Sequence, residues 1–219
     1  MQGLRPMAAD LAARGIATWN IEYRRLGHEG GGWPGTFHDL TAGADHVRQL
    51  ASKYKLDLDR AVVAGHSAGG HFALWLAGRA EIAKASELAV AKPLRFRGAL
   101  NLDGPGDLRA AAPMAQPICG APVITQLIGG TPEQYPERYR AASPAELLPI
   151  GLPQEVFAGR MFASLAPGYE ETAKKAGDSV RSTVDAKGGH FEWIDPRSAK
   201  WDQVLAAIDR LLGRTQAGF

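Results

Sequence analysis

The chain has 219 residues, enough for one sizeable hydrophobic core, and its 45% hydrophobic and 22% charged residues match an ordinary soluble globular domain. A net charge of +2, with no Lys/Arg run longer than two residues, leaves no electrostatic footprint for nucleic acid or an acidic membrane. A single cysteine excludes an internal disulfide framework, Cys–His metal spacing is missing, and no apolar run reaches the length of a bilayer span. No metal or other cofactor is expected. Cys119, in the Pro/Gly-punctuated AQPICGAP, is expected as a buried small hydrophobe in a loop.

Residues 4–14 read as an amphipathic helix stopped by Gly15, with no signal-peptide apolar region, so a cytoplasmic location is expected. IATWNIEYR, residues 16–24, reads as a buried strand, followed by the Gly-rich loop RLGHEGGGWPG. Residues 36–54 read as one long helix, with Phe37, Leu40, Ala44, Val47 and Leu50 along one face. RAVVAG is a short apolar strand and residues 68–79 a helix. LRFRGALNLDG carries the next strand, ending near Asp103. Residues 104–152 are Pro-rich and irregular, with helices expected at 123–128 and 133–142. Their length predicts a cap-like insertion over a pocket. QEVFAG and SVRSTVDA read as strands, and residues 168–176 and 198–212 as helices. Alternating strands and helices predict a single α/β domain over residues 1–219, its mostly parallel sheet covered by helices on both faces.

The strand, turn and helix of VVAGHSAGG place Gly65, Ser67 and Gly69 in the G-x-S-x-G spacing of a nucleophile elbow. Such a turn thrusts a serine hydroxyl out at the carboxyl end of a sheet. Glycines on either side let strand and helix approach, and the helix start offers the Ala68 N–H to an oxyanion. Among six histidines, His190 in DAKGGHFEW follows the last strand, at the same end of the sheet as Ser67, and is expected as the general base. His66, the variable residue of the elbow, is expected to point away from the base and to line the substrate pocket with Trp33, Trp193 and Phe162. His71, a turn further along, is expected to pack or cap.

WNIEYRRLG, GHSAGGHFALWLA, ASPAELLP and GGHFEWIDP together resemble the α/β-hydrolase superfamily, in particular its small esterase-like branch with feruloyl-esterase-like and kynurenine-formamidase-like members. The resemblance covers almost the whole chain and implies hydrolysis of an ester or related acyl bond of a small molecule, without a cofactor. Two departures qualify it. The family's acid usually follows the next-to-last strand as G-x-x-D, yet Phe162 stands three residues after Gly159. Asp103, after the preceding strand, is the substitute, as in some lipases resembling this superfamily; Asp107 and Asp185 are the second and third candidates. The family's H-G-G oxyanion loop, which comes before the first helix, also has no counterpart in this N-terminally shortened pattern, and HEGGG at residues 28–32 follows the wrong strand to replace it. The sheet slot so opened is expected to close by direct pairing of residues 16–24 with the RAVVAG strand, or to be covered in a homo-oligomer, the sequence itself reading as part of a longer protein. The expected activity is that of a serine esterase built on Ser67, His190 and Asp103, with Ala68 at the oxyanion. A non-catalytic binding protein on the same fold, or an amidase or formamidase, is the alternative.

Overall fold

The computed structural model describes residues 2–214. Helix α1 (Arg5–Ala13) opens the chain after a short 3-10 turn. Helices α2 (Gly35–Asp45) and α3 (Val47–Tyr54) follow, then strand β1 (Val62–His66) and helix α4 (Ala68–Gly78). Strand β2 (Gly98–Leu102) leads into α5 (Leu108–Cys119), α6 (Val123–Ile128) and α7 (Pro136–Ala142). Strand β3 (Gln154–Ala158), helix α8 (Ala166–Lys175), strand β4 (Val180–Val184) and helix α9 (Trp201–Leu212) complete it.

The four strands lie in chain order, all parallel, with Val63 opposite Ala99, Asn101 opposite Val156 and Val156 opposite Ser182. The central strands β2 and β3 are buried on both faces along their whole length. Alternate side chains therefore feed two cores. Leu100, Leu102 and Phe157 pack against Met7 and Leu11 of α1 and Val204, Ile208 and Leu211 of α9. Ala99, Val156 and Ala158 pack with the α4 row Phe72–Ala77 and with residues of α2 and α5–α8. Because the strands are parallel and in register, every β-to-α turn leaves from one edge of the sheet.

Four sequence expectations need correction. Residues 16–24 join no strand ladder. Their alternate side chains are committed to the helical layer instead: Trp19 Nε1 donates to the Gly43 carbonyl at 2.9 Å, Tyr23 meets Phe72 edge-on at 5.3 Å, and an Ile21 methyl fills the space where Gly43 has no Cβ. Arg24 then grips both carboxylate oxygens of Asp39 at 2.8 Å. Direct closure onto β1 therefore does not occur, and Ala64 at the middle of β1 is exposed. The long helix of residues 36–54 is divided at His46 into α2 and α3. The stretch after Asp103 holds a helix, α5, that its prolines concealed: Asp107 caps it by accepting from the Arg109 and Ala110 N–H groups, and it runs on through Pro113 and Pro117. Cys119 is the exposed last residue of that helix, not a buried loop residue.

His71 is buried in α4, and neither ring nitrogen finds a partner of good geometry. Burial pushes its pKa down to about 3, a weak hydrogen bond to the Pro105 backbone acting the other way. A histidine kept neutral in the fold but free to protonate near 6.5 when unfolded contributes stability that is complete above that value. The contribution is lost as the pH falls toward 3. The His71→Leu variant is expected to show a shallower loss of stability than the wild type between about pH 7 and about pH 4 in denaturant titrations. Identical slopes would mean that the ring protonates within the fold.

Candidate active site

Ser67 joins β1 to α4 with φ 57° and ψ −123°, a backbone conformation rare outside glycine that costs roughly 1–3 kcal/mol. Three backbone bonds hold it there. Ser67 N–H donates to the Leu102 carbonyl at 2.9 Å, and its own carbonyl accepts from Gly70 and His71 at 2.9 and 3.2 Å. A Cβ on Gly65 would collide with the Gly69 carbonyl, so the first glycine of the motif is required by strand–helix approach. The third is not, because a Cβ on Gly69 would meet only open space. Gly70 is the second crowded position, pressed against the Asn101 side chain. In the first turn of α4 the Ala68 N–H lacks an intrahelical acceptor, and Ala68 is exposed, so this donor is free for an anionic oxygen.

Asp103, directly after β2, is fully buried and also left-handed, with φ 52°. Asn101 fixes this turn by a two-way clamp, its Nδ2 donating to the Gly104 carbonyl and its Oδ1 accepting from the Gly104 N–H, both at 2.9 Å. Sequence reasoning missed Asn101; the signal was a polar residue inside the apolar strand GALNL. One carboxylate oxygen of Asp103 accepts from the Gly159 N–H at 2.7 Å, and the other lies 2.6 Å from Nδ1 of His190. A Cβ on Gly159 would crowd that second oxygen at 2.9 Å. The glycine of the expected G-x-x-D thus serves an aspartate that arrives from the neighbouring strand. Asp107 caps α5 and Asp185 pairs with Lys200, so neither is placed at the His190 ring.

His190 is part-buried in the loop after β4. Its bond to Asp103 fixes Nδ1 as the protonated nitrogen and leaves Nε2 free to take up a proton. Among the described residues no hydrogen bond joins the ring to the Ser67 hydroxyl, a link that commonly tightens only when substrate is bound. The ring of His66, the residue before Ser67, lies 4.3 Å from that of His190.

His66 does not turn away from the base as expected. Its Nε2 stands 2.8 Å from the His190 carbonyl. Burial is the main force holding its pKa below the ordinary histidine value, so it is the neutral ring that donates Nε2–H. Phe162 is buried with its ring 6.5 Å from that of His190. Trp193 is 1% exposed and packs on Phe157 at 5.1 Å, in the core beneath the histidine loop and not on a pocket wall. Trp33 sits on Phe37 and under Arg138, its Nε1 bonded to Glu87 at 2.5 Å. The glycines of HEGGG pack on Arg24, Arg25, Leu26 and the carbonyls of Gln126 and Leu127, away from Ser67. A surface hollow of about 430 Å³ on the outer side of the histidine loop is lined by Phe191, Glu192, Arg197 and Lys200, and by none of Ser67, Asp103 and His190. Among the described residues no group of three or more His, Cys, Asp or Glu side chains could hold a metal ion, and no helix is long and apolar enough to cross a membrane.

The BD-FAE family model matches residues 1–153. The chain belongs to the BD-FAE family. Solved structures similar to this BD-FAE chain share the α/β-hydrolase fold. Esterase B from Lactobacillus rhamnosis, with a tributyrin phosphonate, has a TM-score of 0.76 at 18% identity, over 95% of this chain and 70% of that one. Thermogutta terrifontis esterase 2, phosphoramylated by tabun, has a TM-score of 0.70 at 18% identity, over 97% of this chain and 76% of that one. An acylaminoacyl peptidase from Pyrococcus horikoshii has a TM-score of 0.59 at 15% identity, over 83% of this chain, which spans only 29% of the peptidase. No curated protein matches the sequence.

The two glycines of the motif are expected to respond differently to substitution. Gly65→Ala should lower the thermal midpoint by about 5–10 °C, because its Cβ meets fixed backbone. Gly69→Ala should leave the midpoint unchanged or slightly raised. Equal losses in calorimetry would contradict the close approach at Gly65.

Proposed function

We propose that this BD-FAE chain is a serine hydrolase of small carboxylic esters. The observation that carries the reading is the 2.6 Å contact of His190 Nδ1 with the buried Asp103 carboxylate, beside a serine held at φ 57°. In the proposed cycle Ser67 Oγ attacks the ester carbonyl carbon while His190 Nε2 takes its proton. The oxyanion so formed accepts from the Ala68 N–H. Collapse of the intermediate breaks the bond to the alcohol, which leaves with the proton from His190. Water then repeats the sequence on the acyl-enzyme, releasing the acid and restoring Ser67. Asp103 keeps the imidazole in the right tautomer and stabilises its charged form. Phe162 and the 67%-exposed Phe191, which faces the His190 ring at 5.0 Å, would contact the apolar part of the ester, and α5–α7 would serve as a cap.

That the two esterases above carry phosphorus groups, a phosphonate and a phosphoramyl adduct, supports the choice of probe. A fluorophosphonate is expected to label the wild type and not Ser67→Ala. Equal labelling, or none in either, would favour a non-catalytic ligand-binding role. With a p-nitrophenyl ester, Asp103→Asn is expected to lower kcat by about 10³–10⁴-fold with the fold intact. Near-normal turnover would remove Asp103 from the relay. Parallel assays with p-nitroanilides separate ester from amide cleavage.

A further inference from the structure

We propose that Lys200, outside the Ser67–His190–Asp103 group, is a positioning residue that sets where the His190 imidazole stands. The proposal rests on the hydrolase reading for its kinetic meaning, and on contacts around residues 185–192 for its structure.

This loop leaves the sheet at Asp185, whose N–H donates to the Ala158 carbonyl at 2.9 Å. It is strapped again at Gly188, whose carbonyl accepts from the Arg160 N–H at 3.1 Å. Between Gly188 and the short 3-10 turn at Glu192–Ile194, the backbone carrying His190 is tied through Lys200. The ammonium of Lys200, just before α9, lies 2.6 Å from Asp185 Oδ2 and 2.7 Å from Glu192 Oε2. It therefore joins the first residue of the loop to one lying two positions beyond His190. The same Glu192 oxygen accepts from the Gly189 N–H at 3.0 Å, on the residue immediately before His190. The lysine side chain is only 17% exposed, and its charge stands 4.5 Å from the centre of the Trp193 ring.

Gly188 shows how closely the loop is wrapped on this charge, since a Cβ there would collide with the ammonium. Without the lysine, two carboxylates would face each other across the loop with no cation between them, and the Gly189 N–H would be held by a mobile partner. The opposite side of His190 is fixed independently, by His66 on its carbonyl and Asp103 on its ring. Lys200 is thus the control on the one side of the loop that the triad and its neighbours do not hold.

The predicted outcome of Lys200→Met is a kcat lowered by about 10- to 100-fold with KM within about twofold, because substrate contacts are left alone while the base is displaced. Lys200→Arg, which keeps the charge and two donors, should recover most of the loss. Proton NMR gives a reading that needs no turnover. The downfield His190 Nδ1–H signal of the Asp103 bond should be sharp in the wild type and in Lys200→Arg, and broadened or lost in Lys200→Met. If Lys200→Met does not fold, Glu192→Gln removes one arm of the clamp at a half-exposed position and should change both readouts in the same direction by less. A folded Lys200→Met with unaltered kcat and an unaltered Nδ1–H signal overturns the proposal. A wild type that no fluorophosphonate labels would instead overturn the hydrolase reading, with the NMR comparison still deciding the role of Lys200.

Discussion

A carboxylate with no exposed surface organises this molecule's functional end. Asp103 must spread its charge over hydrogen-bond donors, because an unpaired ion at that depth would be untenable. It finds them on two other segments, the Gly159 N–H after β3 and the imidazole of His190 after β4. Its own backbone sits one residue beyond Leu102, whose carbonyl holds Ser67 in its strained turn. One side chain thereby ties together the exits of β2, β3 and β4, the adjacent Leu102 carbonyl adds that of β1, and the parallel register is what brings those exits to a common rim.

The tightness of this rim explains the local sequence. Gly65, Gly70, Gly104 and Gly159 each stand where a Cβ would meet backbone or a fixed polar atom, and Asn101 closes the turn that Asp103 needs. Two residues near this rim sit in left-handed backbone, Ser67 and Asp103. Strain of this kind persists only where the surroundings over-determine it, and here clamps on both residues do so.

Much of the architecture was readable from one chain. The four strands and the helices α1, α4, α8 and α9 follow from apolar runs and period, and the elbow follows from spacing plus its strand-to-helix context. What failed did so for identifiable reasons. Residues 16–24 have strand composition, but Trp19, Ile21 and Tyr23 are spent on helix packing, a tertiary outcome that no period reveals. Helix α5 was masked by two prolines that its context accommodates. His66 was misdirected because its ring leans toward a loop 124 positions away in sequence. Trp193 reads as a pocket aromatic beside the histidine, yet its short 3-10 turn drives it inward. Asp103 was singled out because Phe162 occupies the usual place for an acid, and His190 was the ring it was expected to reach; its other partner, the Gly159 N–H, could not be read from spacing.

The position of Asp103 after β2, with Phe162 after β3 where the resemblance to the superfamily implies an acid, has a corollary for how such a protein can diversify. Residues 159–165 give no carboxylate to His190 and are tied to this end of the sheet through main chain, the Gly159 N–H on Asp103 and the Arg160 N–H on the Gly188 carbonyl. Phe162, buried with its ring 6.5 Å from that of His190, takes no part in those hydrogen bonds, so a change of apolar bulk there leaves the Asp103–His190 contact its own partners. Under the proposed ester hydrolysis, that short segment is where selectivity toward different acyl or alcohol groups would be retuned.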